Sequence, residues 1–398
     1  MRIAIIRQRY TPFGGAERFV ENALEALLER DVAITLYTRE WPQTKLALIE
    51  PSIVDPFYLG NLWRDWGFQR GVCKAVSHAR LDLVQSHERL CCCDIFRAGD
   101  GVHAVWLEER LRGAPALARL RVRLDPHHRY LLGMEKRMFA SPWLSAVICN
   151  SQMVRDEIRE RFGVADSKMH VIYSAVDTEM YAPPAAAERA AARERFALPA
   201  DATVYTLVGS GYVRKGVASA IRALAALPEH THLLVVGADR NLRHYAQLAR
   251  KLGLRGRVNI AGPQIDVKPY YAAADVFVLP TLYDPCPNAA LEAMACGLPV
   301  VTSSKCGVTE IASAHDAGFA CDARDIEALA THMRTLLDPA TRARMGANAR
   351  NAVLPLSSSA MTLKLVLLYK ALLAASIAQR RPTSRSAKAA AATPRAPG

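Results

Sequence analysis

Arg214 and Lys215 stand in the stretch Gly209-Ser210-Gly211-Tyr212-Val213-Arg214-Lys215-Gly216. Glycines let a backbone approach a ligand closely, and two fixed cations beside a helix start suit a diphosphate. The spacing is neither that of a Walker loop nor G-x-G-x-x-G, so a solvated basic loop is the competing reading. A second group begins at Asp284, followed after seven residues by Glu292. The neighbours of Glu292, Ala289 to Cys296, are all apolar or small. Asn288 is placed to cap the helix that carries Glu292, and Gly297 falls where a C′ glycine belongs. A helix this apolar is largely buried, and a buried carboxylate needs donors, which sugar hydroxyls supply. The alternative is a surface carboxylate on an ordinary capped helix.

Two further groups lie in the first half. Gly99-Asp100-Gly101-Val102-His103 follows a short apolar run at Ile95-Phe96 and reads as a cleft loop, or as a structural turn. His87 belongs to the same neighbourhood, whereas His127 and His128 read as surface residues. Arg110, Arg112, Arg119, Arg121, Arg123, Arg129, Lys136 and Arg137 are interleaved with apolar residues. That pattern suits a helix on a membrane surface or an anionic acceptor. Glu108, Glu109, Asp125 and Glu135 would be its partners if it were only a solvated helix.

These residues need elements to hold them. Short apolar strands are expected at Arg2 to Ile6, Val32 to Tyr37, Leu81 to Val84, Ala146 to Cys149 and Val171 to Tyr173. Helices at Ala16 to Glu29 and, capped by Asn150-Ser151, at Gln152 to Phe162 alternate with them. Ala182 to Ala200, rich in alanine and proline, reads as a connection. Strands at Thr203 to Val208, His232 to Val236, Val258 to Ile260, Val276 to Leu279 and Pro299 to Thr302 then alternate with helices again. Strand–helix alternation implies parallel sheets covered on both faces. The chain therefore divides into an N-terminal α/β domain over 1–175, a linker over 176–200 and a second α/β domain over 201–355. An amphipathic helix at 356–378, expected to pack back on the first domain, and a disordered basic tail at 379–398 complete it. Two such domains would face a central cleft, with ligand beyond the carboxyl ends of the strands.

The net charge of +13 over 398 residues favours anionic partners. No recognition-helix or zinc motif supports nucleic acid among them. The nine cysteines are an odd number without a secretory signal, which points to reduced thiols in the cytosol. Cys91, Cys92 and Cys93 read as small buried hydrophobes. No stretch reaches about 18 uninterrupted apolar residues, so the expectation is a soluble or membrane-peripheral chain.

Asp284, seven residues, then Glu292-Ala293-Met294-Ala295-Cys296-Gly297-Leu298-Pro299-Val300 resembles the signature of the family 4 retaining glycosyltransferases, which use nucleotide sugars and have the GT-B fold. The resemblance extends to Gly14-Gly15-Ala16-Glu17, Ile148-Cys149-Asn150-Ser151, Val171 to Asp177 and the Arg-Lys-Gly loop from Gly211 to Gly216. It looks nearest to the transferases that add hexoses to the lipopolysaccharide core. It implies that Arg214 and Lys215 hold the donor diphosphate, that Glu292 binds the ribose and that Asp284 binds hydroxyls of the transferred sugar. Gly14, Gly15, Gly211 and the helix start at Asn288 and Ala289 would complete the donor site, with Asp100 or His103 the catalytic residue of the first domain. Transfer would retain anomeric configuration, with no metal and no cofactor beyond the nucleotide-sugar cosubstrate, UDP-glucose leading. The implied acceptor is the lipopolysaccharide core or another anionic glycolipid at the cytoplasmic face of the inner membrane. Asp284 stands where Glu is usual and Pro285-Cys286-Pro287 where P-F-G is common, which puts the sugar's identity in question. The other readings are a transferase acting on another polysaccharide, an epimerase or phosphorylase of the same fold, and a binding protein without transfer activity.

Overall fold

The computed structural model describes residues 1–9, 33–41 and 51–378. Gly14, Gly15, the helix expected over Ala16 to Glu29 and the basic tail lie outside the described residues. The chain forms two compact units, one comprising 1–173 with 358–398, the other 174–357.

The first unit is built on a seven-stranded sheet in the order β3-β2-β1-β4-β5-β6-β7. The strands are β1 (Arg2–Ile6), β2 (Ala33–Thr38), β3 (Ser52–Ile53), β4 (Leu83–Ser86), β5 (Ile95–Ala98), β6 (Ala146–Cys149) and β7 (Met169–Val171). Every pairing is parallel, as in Ile3 with Ile34 on one side and Leu83 on the other. β4, β5 and β6 are buried throughout, which a parallel sheet covered on both faces requires and which explains their uninterrupted apolar runs. The helix Gln152–Phe162 begins at Ser151, whose hydroxyl accepts from the Val154 amide, and ends at Gly163 in the left-handed region.

The helix Ser358–Ala378 belongs to this unit, although it is the last element of the chain. By length and composition the stretch Pro339–Ala375 could cross a membrane. In the structure Met361, Leu365, Val366 and Tyr369 are instead buried, and the Tyr369 hydroxyl donates to Gln85 Oε1 at 2.7 Å.

The cysteine expectation needs correction. Cys73, on the helix Gly60–His78, and Cys92, in the turn before β5, form a disulfide with their Cα atoms 5.7 Å apart, inside the span a disulfide bridges. Cys92 and Cys93 are buried as expected, whereas Cys91 is only half-buried.

The second unit holds a six-stranded parallel sheet in the order β10-β9-β8-β11-β12-β13. Its strands are β8 (Thr203–Val208), β9 (Thr231–Val236), β10 (Val258–Gly262), β11 (Val276–Leu279), β12 (Val300–Ser303) and β13 (Gly318–Cys321). The segment expected as a linker at 176–200 is part of this unit. Its helix Ala186–Arg195 is bolted down by charge: Arg189 and Arg193 each pair with Asp275, at 2.6 and 2.7 Å. Alanine-rich composition hid that attachment, because the arginines find their partner some 80 residues away in sequence.

Candidate active site

In each sheet the strand order reverses once, between β1 and β4 and between β8 and β11. The loops leaving the carboxyl ends of such a strand pair diverge and leave room for a ligand. Arg214, Lys215 and Asp284 lie on such loops, whereas Asp100 and His103 follow β5 and Glu292 stands on the helix Asn288–Ala295.

In the second unit, the loop after β8 carries Arg214 and Lys215 and the loop after β11 carries Asp284. The two cations lie not at the start of a long helix but in a separate one-turn helix, Tyr212–Lys215, bounded by left-handed Gly211 and Gly216. Gly216 has φ +73°, and a Cβ there would come within 1.9 Å of the Pro280 carbonyl oxygen. Only glycine permits that approach. The loops are stitched together: the Arg214 carbonyl accepts from Thr281 Oγ1 and from the Leu282 amide, both at 2.8 Å.

Asp284 is buried and takes both cations on one oxygen. Lys215 Nζ donates to Oδ2 at 2.5 Å and Arg214 Nη1 at 3.1 Å. Burial pushes the Asp284 carboxyl up, but Lys215 and Arg214 outweigh it and hold it below its ordinary value. For Lys215 burial is also the largest influence and lowers its pKa, with Asp284 pulling the other way. The backbone of Asp284 is fixed as well, its amide donating to Lys305 O and its carbonyl accepting from Gly307, each at 2.9 Å. Arg214 keeps more than a third of its side chain exposed. The pair thus presents one buried and one solvent-facing cation, with a single acid between them.

Glu292 lies on the helix Asn288–Ala295 and is buried. The expected cap is corrected: Pro287 is the N-cap, no side chain caps the helix, and Asn288 is its first residue. Proline fixes φ and has no N–H to lose at a helix start. The C-terminal end forms as read, with Gly297 at φ +79°. Gly297 and Leu298 donate back to Met294 and Ala293 in a Schellman arrangement. Tyr271, which sequence spacing did not point to, donates to Glu292 Oε2 at 2.9 Å.

In the first unit the loops after β1 and β4 meet in the same manner. Gln8 N donates to Glu88 Oε1 at 2.9 Å, and Arg7 lies 3.5 Å from Glu88 and 3.8 Å from Asp100. Asp100, in the turn after β5, leaves 62% of its side chain exposed. His103 opens the helix His103–Leu111. Its amide is capped by Glu135 at 2.8 Å, and Glu135 also pairs with Arg89 at 3.0 Å. That helix start is therefore occupied by a carboxylate of the chain itself. Burial, then Arg89 and His128, push the His103 pKa down to about 3. His127 and His128 are not the surface residues expected. His127 Nε2 is 2.7 Å from Asp65, and His128 Nδ1 is 3.2 Å from His103 Nε2. His87 is buried beside Gln85, 3.2 Å away. Glu88 and Arg7, and the contact of Glu135 with His103, escaped notice because their partners are distant in sequence. Among the described residues no cluster of His, Cys, Asp and Glu could hold a metal ion.

The basic stretch divides into three helices. The middle one, Ala116–Leu124, buries none of its residues, and Leu117, Leu120 and Leu124 are each more than half exposed beside Arg119, Arg121 and Arg123.

Comparison with known proteins agrees with this geometry. Residues 188–352 match the family "Glycosyl transferases group 1" and residues 13–180 match "Glycosyltransferase Family 4". A D-inositol 3-phosphate glycosyltransferase of Xylanimonas cellulosilytica is 28% identical over 372 residues, spanning 85% of this chain and 87% of that protein. The lipopolysaccharide glucosyltransferase WaaG of Escherichia coli K12 is 25% identical over 312 residues, 77% of this chain and 81% of that one. A crystal structure of WaaG, described as a glycosyltransferase involved in lipopolysaccharide biosynthesis, superposes with a TM-score of 0.78 at 23% identity, covering 91% of this chain and 99% of that one. Anabaena HepE in complex with UDP and glucose superposes with a TM-score of 0.71 at 21% identity, covering 93% and 100%. Two parallel-sheet units, each matched by its own glycosyltransferase family, make this chain a member of the glycosyltransferases, an enzyme of the GT-B fold with a family 4 first domain and a group 1 second domain.

Proposed function

We propose that this enzyme moves a hexose, glucose foremost, from a UDP-linked donor to the lipopolysaccharide core or a related anionic glycolipid, with retention of anomeric configuration. The observation that carries the reading is the Lys215–Asp284–Arg214 cluster at the strand-order reversal of the second unit. Departure of a nucleoside diphosphate builds negative charge on the phosphates. Two preorganised cations in a partly dry site stabilise that charge as it develops, without a metal. Asp284, released from them, is free to accept hydrogen bonds from hydroxyls of the sugar, while Glu292 takes the ribose. The helix start at Asn288 and Ala289, and Gly211 beside Arg214, fit the phosphates. The leaving phosphate then accepts the acceptor's proton. In the first unit Asp100, largely in solvent and beside Arg7, is the group suited to acceptor or sugar hydroxyls. His103, held neutral at pH 7, suits a hydrogen bond rather than a charge.

WaaG and the UDP complex of HepE support glucose, UDP and a lipopolysaccharide acceptor. The similarity to a D-inositol 3-phosphate glycosyltransferase supports a second acceptor, a phosphorylated polyol. The helix Ala116–Leu124, with its exposed leucines and arginines, supports a peripheral seat on an anionic membrane at the cytoplasmic face. The test is a panel of UDP-, GDP- and ADP-sugars, read by thermal shift and donor hydrolysis, followed by transfer to deacylated lipopolysaccharide core or to inositol phosphate. Stabilisation and turnover confined to UDP-glucose, with transfer to the core, is the expected result. Absence of any turnover, together with no effect of Glu292→Ala on nucleotide binding, would sink the enzyme reading.

A further inference from the structure

A glutamate's terminal torsion is soft, so a carboxylate that must present a chosen oxygen to a ligand needs an outside donor to fix its plane. Tyr271 supplies one. Its hydroxyl, on a fully buried ring, lies 2.9 Å from Glu292 Oε2 and 3.2 Å from the Ala289 carbonyl. A phenol has a single proton to give, and the nearer, charged acceptor takes it.

The tyrosine is itself held from several directions. Its ring packs edge-on against Tyr181, with centroids 6.0 Å apart, and lies 6.3 Å from Phe277. The end of its helix, Lys268–Ala273, is clamped by the two arginines of the Ala186–Arg195 helix. Arg189 donates to the Ala272 and Ala274 carbonyls at 3.2 and 2.7 Å, and Arg193 donates to that of Ala273 at 3.2 Å. The same arginines pair with Asp275, which accepts from the Val204 amide at the start of β8. Arg350 completes the frame, donating to Ala295 O at the far end of the Glu292 helix and to Tyr181 O. Burial and the neighbouring Glu292 push the phenol's pKa well up, so it remains a donor across the working range.

From this geometry we infer that Tyr271 is a positioning residue for nucleotide recognition, orienting Glu292 so that the site reads the ribose hydroxyls of the donor. The inference rests on the donor-site reading given above for Glu292. A site built around hydroxyls discriminates strongly against an analogue that lacks them. Removing the phenol oxygen takes away this restraint on the carboxylate plane and erodes that discrimination, while the phosphate contacts of Arg214 and Lys215 are left alone.

The experiment uses the full chain and the nucleoside diphosphate that the donor panel selects, with its 2′,3′-dideoxy analogue, by calorimetry, alongside donor kinetics. Tyr271→Phe, which keeps the ring contacts, is expected to weaken the ribonucleotide about tenfold, to leave the dideoxy form unchanged, and to raise KM with little change in kcat. Glu292→Gln is expected to abolish the ribose preference, and adding Tyr271→Phe to it should change nothing further. Tyr271→Phe that preserves the ribose preference, or weakens both nucleotides equally, overturns the inference while a loss of preference in Glu292→Gln keeps the site reading intact. A preserved preference in Glu292→Gln overturns both.

Discussion

Lys215 Nζ lies 2.5 Å from Asp284 Oδ2, and Arg214 Nη1 reaches that same oxygen at 3.1 Å. One carboxylate thus serves as counterion to both cations, and an incoming diphosphate must compete with it for them. Taking the acid away leaves a buried ammonium without its partner, an arrangement that is costly in an empty site and that an anion relieves. Asp284→Asn is therefore expected to lower the melting temperature of the ligand-free protein. A nucleoside diphosphate should restore it by a larger margin than in the parent and bind about tenfold tighter. Transfer should slow, because the group for the sugar hydroxyls is weakened. Equal thermal shifts with the diphosphate in both proteins would refute the competition.

The converse substitutions separate charge from shape. Lys215→Met and Arg214→Met remove cations without adding bulk, and each is expected to reduce kcat by about 10²–10³ if it stabilises the leaving group. Arg214→Lys keeps the charge but not the planar fork, and should recover only part of the rate. Initial rates at saturating donor decide the matter. A change confined to KM would mean that the cations bind substrate and transition state alike.

Much of this arrangement was legible from residue order, and the reason is physical. Strand–helix alternation with apolar strands specifies a doubly wound sheet, and such a sheet puts the loops after β8 and β11 side by side. Arg214 with Lys215, and Asp284 some 70 residues further on, were legible as two groups, and only the resemblance to a known family joined them in one donor site. Glu292 was legible through its apolar neighbours. Partners that stand alone in sequence were not. Tyr271 lies 21 residues before Glu292 with nothing between to link them, and Glu135 meets His103 across 32 residues. The arginines of the 186–195 helix lie in an alanine-rich stretch that reads as a connection. Cys73 and Cys92 share only their residue type, which carries no pairing information.

His103 and Asp284 should contribute acid sensitivity in different windows. An unfolded imidazole takes up a proton below about 6.5, whereas buried His103 does not until about 3. Across that range the unfolded state binds more protons, so stability falls as pH falls. His103→Asn should flatten the stability loss of the first unit between those values. Asp284 has its pKa depressed in the fold. Its contribution is complete above the ordinary carboxylate range and is lost as pH falls through the folded value, so the loss due to this carboxylate is felt only below about pH 4. Melting curves of parent and His103→Asn from pH 7 to 3 test this. Identical pH slopes would show that the His103 environment contributes nothing to acid sensitivity.

The Cys73–Cys92 disulfide ties the helix Gly60–His78 to the turn leading into β5, closing a loop of 19 residues. Closing a loop of that length stabilises by about 3 kcal/mol in the chain-entropy account. Denatured, unreduced protein should titrate with seven thiols, the number left after pairing, and reduced protein with nine. Cys73→Ser with Cys92→Ser should melt several degrees lower than oxidised parent and match reduced parent. Nine thiols without reductant, in protein purified under oxidising conditions, would show that the pair does not form.

The helix Ala116–Leu124 offers the last prediction, because its composition suits an anionic lipid interface. It buries nothing within its own unit, yet Leu117, Leu120 and Leu124 fall at helical spacing with Arg119, Arg121 and Arg123 among them. Exposed leucines of this kind gain by entering a lipid interface, at about 25 cal/mol for each Å² of apolar surface removed from water. Each arginine near an anionic surface adds about 1 kcal/mol, screened by salt. Cosedimentation with vesicles containing anionic lipid should therefore be strong at low salt and weaker at high salt. Replacing the three leucines by serine should abolish it at any salt, whereas replacing the three arginines by glutamine should remove mainly the salt dependence. Hydrolysis of soluble donor should be unchanged in both variants, since neither substitution touches the donor-binding unit. Undiminished vesicle binding by the serine variant would show that this helix is not the membrane contact.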